Sequence, residues 1–213
     1  MITISVSPGE KSIPTIKAPA PTKTVCVYCG SGMGADPKYA AATRELGQKM
    51  VDNAMRLVYG GGHIGLMGVV ADAVLDAGGE AVGIIPEHIH IRENQHTGLT
   101  ELIVVDSMHT RKRLMADRAE AYVVLPGGFG TLDEAFEIIT WKQLELHNSP
   151  IIFLNVDGFW DPLVKLVQHQ IEGGFIHAHN QHLFEVANTV DEAISILRMA
   201  GPDQLEAIMP DVR

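Results

Sequence analysis

The chain is short of several things, and each shortage removes a class of function. Only two of its 213 residues are cysteine. That is too few for a disulfide framework or a cysteine-built zinc cluster, so a reducing cytoplasm is the expected setting. No apolar run approaches the ~20 residues that a membrane helix needs. The N-terminus carries Lys11 and Lys17 but no apolar core, so it does not read as a secretory signal. Basic residues are scarce, with 16 Lys and Arg against 26 Asp and Glu, for a formal charge of -10 and a pI near 5.4. That balance has the wrong sign for a nucleic-acid polymer or an anionic membrane as partner. No repeat recurs at a fixed period, which excludes a solenoid.

What is present is a large apolar fraction, 46%, enough to bury one full core. Short, valine-rich runs alternate with segments of helical spacing. Strands are expected at 24–28, 57–59, 81–85, 102–105, 122–125, 151–154 and 183–186. Helices are expected after Asp36-Pro37, from after Gly68 to about Ala77, over Met108–Glu120, over Leu132–Leu146, after Asp161-Pro162 and over Val190–Met199. The strands are continuously apolar rather than alternating, as strands buried on both faces are. The reading is therefore an α/β protein with a single-domain, doubly wound, Rossmann-like and mostly parallel sheet, helices covering both faces. Residues 1–23, with four prolines among Ser, Thr, Lys and Ala, read as a flexible arm, 24–200 as the domain, and 201–213 as a tail.

Ligands of such a sheet bind beyond the carboxyl ends of its strands, and three glycine-rich turns fall there. The first is Cys29-Gly30-Ser31-Gly32-Met33-Gly34. The second, Gly60-Gly61-Gly62-His63-Ile64-Gly65, matches G-x-G-x-x-G after a strand, with Glu87 as a possible ribose-binding acid. The third is Pro126-Gly127-Gly128-Phe129-Gly130-Thr131-Leu132-Asp133-Glu134. Here Thr131 reads as a helix N-cap and Glu134 as its capping-box partner, with bare amides able to hold a phosphate. Two cradles facing one crevice favour a mononucleotide over a dinucleotide. Glu134 reads equally as a cap or as a carboxylate beside bound ribose phosphate, and Asp133 is its rival.

Arg111, Lys112, Arg113 and Arg118 bring four of the sixteen basic residues into one or two helical turns. Arg113 and Arg118 read as a solvated face paired with Asp117 and Glu120. Arg111 and Lys112 sit near a helix start, where the dipole disfavours positive charge, which suggests an anion nearby. Cys26-Val27-Tyr28-Cys29 fits C-x-x-C, but it ends a strand rather than opening a helix, so both thiols read as structural. His88, His90 and His96 in one polar loop, and His177, His179 and His182 in another, lack the spacing of a metal-ligand set. No metal or cofactor is expected.

Met108-His109-Thr110-Arg111-Lys112 together with Pro126-Gly127-Gly128-Phe129-Gly130-Thr131-Leu132-Asp133-Glu134 resembles the paired signature of the LONELY GUY family. Cys29-Gly30-Ser31, Gly60-Gly61-Gly62 with Gly65-Leu66-Met67-Gly68, and Leu154-Asn155-Val156-Asp157-Gly158-Phe159 also resemble family segments, so the likeness runs from about Thr24 to Met199. The family's members are cytokinin riboside 5'-monophosphate phosphoribohydrolases, in the past often labelled lysine decarboxylases. The resemblance implies Arg111 and Glu134 as the catalytic pair and a 5'-phosphate cradle in Gly127, Gly128, Gly130 and Thr131, flanked by Pro126. It implies further substrate contacts from Ser31, Gly61, Gly62, Met108 and Lys112, and no role for His63. It implies a homodimer or larger assembly whose site is completed at the subunit interface, and N-glycosidic hydrolysis without a cofactor. The rivals are an AMP nucleosidase of purine salvage, a non-catalytic nucleotide or molybdenum-cofactor carrier, and a decarboxylase with pyridoxal phosphate on Lys112.

Overall fold

The computed structural model describes residues 22–90 and 95–199. The expected tail, and the expected arm up to residue 21, lie outside the described residues. β1 (Lys23–Tyr28), β2 (Met55–Tyr59), β3 (Ala81–Pro86), β4 (Glu101–Val105), β5 (Ala121–Val124), β6 (Ile151–Leu154) and β7 (Glu185–Ala187) form one seven-stranded sheet. Its order is β4-β3-β2-β1-β5-β6-β7, and every neighbouring pair is parallel. The chain thus winds outward from β1 in one direction, returns, and winds outward in the other. The point of reversal lies between β1 and β5.

The side-chain period of two within β1 explains why both faces are apolar. Val25 and Val27 join one core, whereas Cys26 and Tyr28 join the other. α1 (Pro37–Asp52), α2 (Gly65–Asp76) and α7 (Val190–Met199) cover the first face through Leu46, Met50, Val70, Val74 and Leu197. α4 (Met108–Asp117), α5 (Phe129–Gln143) and α6 (Asp161–Glu172) cover the second through Met115, Ile138, Leu163 and Val167. Each fully buried aliphatic side chain of this kind contributes about 1.5–3 kcal/mol. Cys26 and Cys29 belong to opposite cores, so they cannot form a redox pair. Burial pushes the Cys26 thiol well above its usual range, and the carboxylate of Glu134 adds to the shift.

Several boundaries differ from expectation for local reasons. β7 is Glu185–Ala187, not 183–186, because its register follows β6 through Phe153 opposite Val186. α4 stops at Asp117, and Glu120 instead accepts the Thr24 amide at 2.7 Å, tying the start of β5 to β1. The segment expected to be a polar loop after β3 opens with a short helix, α3 (Glu87–His90), and includes a bridge from Gln95 to Gly62. Among the described residues, no helix is long and apolar enough to cross a membrane.

α1 starts as expected, with Pro37 at its first position and the Asp36 carboxylate accepting the Lys38 amide at 2.9 Å. It then lies close on α2, because Gly47 has no side chain. A Cβ there would sit 2.7 Å from the Ala73 Cβ and 3.1 Å from the Val70 carbonyl. Gly47→Val should therefore destabilise the protein by roughly 1–3 kcal/mol, the usual cost of overpacking. Chemical denaturation, read as a lower midpoint with an unchanged slope, checks this.

Candidate active site

The three glycine-rich turns meet at the reversal point and are bonded to one another. The Gly30 amide donates to the Pro126 carbonyl at 3.1 Å, and the Leu66 amide donates to the Gly30 carbonyl at 3.0 Å. A Cβ on Gly65, whose φ is +59°, would lie 2.3 Å from the Ser31 carbonyl carbon. The turns after β1 and β5 thus diverge around a cleft of about 360 Å³. Its rim carries Ser31 from the first turn and Gly128 to Thr131 from the third, with Arg111 and Glu134 in its wall. Met67, Ile89 and Met108 give it an apolar side. A second hollow of about 310 Å³ lies across Ser31 and Gly128, and Pro126 and Gly127 open there.

The third turn is not capped as the sequence suggests. α5 begins at Phe129, its N-cap is Gly128, and no side chain caps it. Thr131 is already inside the first turn, where it is buried, and the Leu132 amide closes that turn on the Gly128 carbonyl at 3.0 Å. The capping box is therefore absent, and the cap reading of Glu134 goes with it. The first amides of a helix have no acceptor within it, and here the residues that carry them, Phe129, Gly130 and Thr131, line the cleft. A Cβ on Gly128 or Gly130 would meet nothing within 4 Å, whereas one on Gly127 would lie 2.1 Å from the Thr131 hydroxyl. Gly127 is thus needed for closure of the turn, and Gly128 and Gly130 leave the space in front of the amides open. Glu134 follows one turn on, at intermediate burial, near the buried Cys26 and Tyr28.

Arg111 comes from α4, whose first turn is set by Ser107, its hydroxyl accepting the Thr110 amide at 3.1 Å. The arginine is 4% exposed. Its Nε donates to the Ile84 carbonyl at 3.1 Å and its Nη2 to the Gly60 carbonyl at 2.7 Å. The unfavourable position near a helix start is thus offset in part by carbonyl oxygens at the ends of β2 and β3. Gly60 is required for this: a Cβ there would lie 2.0 Å from Nη2. The second glycine turn therefore serves the arginine. Gly61 and Gly62 are buried and do not line the cleft, and the match to a dinucleotide fingerprint has a packing cause. Glu87 is exposed at the start of α3 and is not among the described residues lining the cleft.

Lys112 does not reach the cleft either. Its ammonium lies 3.1 Å from Asp133 and 3.2 Å from Glu137, joining α4 to α5 one residue away from Arg111 on one helix and Glu134 on the other. Partial burial works against its charge, but the two carboxylates prevail and hold its pKa above the usual lysine range. Asp133 thus pairs with Lys112 while also lining the cleft beside Glu134. Arg113 pairs with Asp117 at 2.8 Å, and Arg118 faces Glu101 at 3.9 Å rather than Glu120.

Of the histidines named from sequence, His177 and His179 stack with ring centroids 5.5 Å apart. His177, His179 and His182 are exposed, as is His88. His96 is buried, and its neighbours are Asp72 and His63, which the sequence pattern did not connect to it. The sequence reading also missed Cys29, Met67 and Ile89 as cleft residues. Met67 could have been found one residue after Leu66, whose amide ties its helix to the first turn.

Comparison with known proteins follows the same lines. A family described as "Possible lysine decarboxylase" matches residues 67–197. A cytokinin riboside 5'-monophosphate phosphoribohydrolase of Rhodococcoides fascians is 43% identical over 187 residues, covering 86% of this chain and 94% of that protein. A probable enzyme of the same name from rice, LOG4, is 42% identical over 85% of this chain and 79% of its own length. One from Arabidopsis thaliana, LOG5, is 41% identical over 84% and 79%. Among solved structures, the molybdenum cofactor carrier protein of Chlamydomonas reinhardtii has a TM-score of 0.64 at 20% identity, over 85% of this chain and 98% of that one, which is a likeness of fold. With the paired signature placed on α4 and the start of α5, and with relatives this similar along most of their length, the chain belongs to the LONELY GUY family of cytokinin riboside 5'-monophosphate phosphoribohydrolases.

Proposed function

We propose that this protein hydrolyses the N-glycosidic bond of cytokinin riboside 5'-monophosphates, releasing free base and ribose 5-phosphate. The observation that carries the reading is the convergence of Arg111, Glu134 and the open amides of α5 on one cleft. The amides and the helix dipole suit a 5'-phosphate. Glu134, one turn further along the same helix, then faces the ribose. The C1'–N9 bond breaks, its electron pair leaves with the base, and the sugar gains oxocarbenium character. The Glu134 carboxylate stabilises that cation and orients the water whose oxygen bonds to C1', while the base takes up a proton. Arg111, held on two carbonyls with Nη1 against the Met108 sulfur, sets its positive charge in the cleft wall beside the substrate. Ser31 flanks the phosphate, and Met67, Ile89 and Met108 form an apolar wall for the base. Acting on nucleoside monophosphates, the enzyme is read as cytoplasmic.

The decarboxylase description of the family does not suit Lys112. A Schiff base forms from an uncharged amine, and Asp133 and Glu137 hold this one charged. A homodimer is supported by Phe129, 93% exposed at the mouth of the cleft, and by Phe136, two turns along α5 and 40% exposed. A second subunit laid on this face would cover both and close the mouth.

Incubation with AMP and with N6-isopentenyl-AMP, following free base and ribose 5-phosphate, tests the reading and ranks the two substrates. Glu134→Gln should lower base release on the order of 10²–10⁴-fold, with nucleotide binding retained by calorimetry. Gly60→Ala should displace the Arg111 guanidinium and cost about 10²-fold in kcat/KM, as a misplacement of ~1 Å does, measured well below the variant's own melting temperature. Phe136→Glu should shift the protein to a monomer in sedimentation and lower activity with it. A sedimentation profile identical to wild type would remove this face as the interface.

A further inference from the structure

His96 lies outside the cleft, yet hydrogen bonds connect it to the turn that holds Arg111. It is 5% exposed. Its amide donates to the Gly61 carbonyl at 3.1 Å, and its neighbour Gln95 bridges to Gly62. Its Nε2 lies 2.9 Å from an Asp72 carboxylate oxygen, on α2. Its Nδ1 accepts the Gly98 amide at 3.0 Å. A backbone amide only donates, so Nδ1 carries a lone pair and, in the neutral ring, Nε2 carries the proton. The ring therefore donates to Asp72.

That assignment decides between two uses of the cluster. His63 Nε2 is 3.6 Å from the other Asp72 oxygen, and the two imidazole rings are 4.5 Å apart. Ligand atoms of His63, Asp72 and His96 lie within 4.8 Å of one another, close enough for a transition-metal ion. A metal would need the Nε2 lone pair of His96. A ligating histidine ordinarily donates a proton from its other nitrogen, and here the other nitrogen accepts one. The geometry is that of a hydrogen-bonded clamp.

We propose that His96, fixed by Asp72, is a positioning residue for the glycosidase reaction, holding the Gly60–Gly62 turn so that the Gly60 carbonyl keeps Arg111 in place. The inference rests on the catalytic reading of Arg111 given above. The turn has no side chains of its own to hold it, and Gly61 is at φ +77° against β3. Its shape is set by the bonds on either side: His96 on the Gly61 carbonyl and Arg111 on the Gly60 carbonyl. Asp72 links that arrangement to α2, which packs on α1 in the first core.

The test compares His96→Gln with His96→Met in the full-length protein, measuring kcat and KM separately, well below each variant's melting temperature. Glutamine reaches toward Asp72 with an N–H, and methionine fills the volume without one. His96→Met should lower kcat by about tenfold, as a displaced catalytic group does, with KM little changed, and His96→Gln should recover most of the loss. Asp72→Ala, at a half-exposed position, should show the same fall in kcat and keeps the test open if the methionine variant does not fold. Equal kcat in wild type, His96→Met and Asp72→Ala would overturn the proposal. A rise in the wild-type melting temperature with one equivalent of zinc, lost in His63→Ala, would overturn the proton assignment and make the cluster a metal site. A wild type that releases no base from either nucleotide would instead remove the hydrolase reading itself.

Discussion

The arrangement depends first on a buried cation. Removing a guanidinium from water is costly unless its protons find acceptors, and Arg111 finds them in the carbonyls of Gly60 and Ile84. Both oxygens lie just past the last paired residues of β2 and β3, Tyr59 opposite Gly83, where the ladder between the two strands has ended. The glycine at position 60 then permits the approach. The charge is thereby stabilised before any substrate arrives, which is the condition for electrostatic preorganisation. Much of the surrounding structure can be understood as supporting it. Ser107 sets the start of α4, and Lys112 fixes that helix to α5 through Asp133 and Glu137.

Much of this was legible in the sequence, and the parts that were not share a cause. Continuous apolar runs gave the parallel sheet, since a strand buried on both faces shows no alternation, and the three glycine turns gave the edge at which the site lies. The paired signature marked Arg111 and Glu134. Local pattern misled where a contact from elsewhere in the chain took over. Thr-x-x-Glu reads as a capping box, but the helix starts three residues earlier, because glycine at 128 and 130 lets the amides stay bare. Gly60-x-Gly62-x-x-Gly65 reads as a phosphate loop, but the space that a phosphate would need at Gly60 holds an arginine 51 positions away. Lys112 reads as a phosphate ligand because its partners, 21 and 25 residues on, leave no mark at its own position. The link between His96 and Asp72 is of the same kind.

The overall charge of the chain is acidic, yet the cleft combines helix-end amides with an arginine beside a carboxylate. A nucleoside monophosphate has matching parts: an anion at one end, a sugar that gains positive charge as its bond breaks, and an apolar ring. A net charge of -10 repels an anionic substrate at long range, so on this reading recognition rests on the crevice.

The early start of α5 has one further consequence. With Gly128 as N-cap, the open amides near Gly130 and the carboxylate at Glu134 lie on one rigid helix, four residues and so about 6 Å apart along its axis. If those amides seat a phosphate as proposed, the helix works as a gauge. On the proposed reading, a substrate seated by a terminal phosphate would be measured from that point to the carboxylate, and its phosphate-to-sugar length would decide whether the anomeric carbon comes into register. A nucleoside without phosphate would then have nothing to seat, and a longer phosphate chain seated by its last group would carry the sugar past the mark.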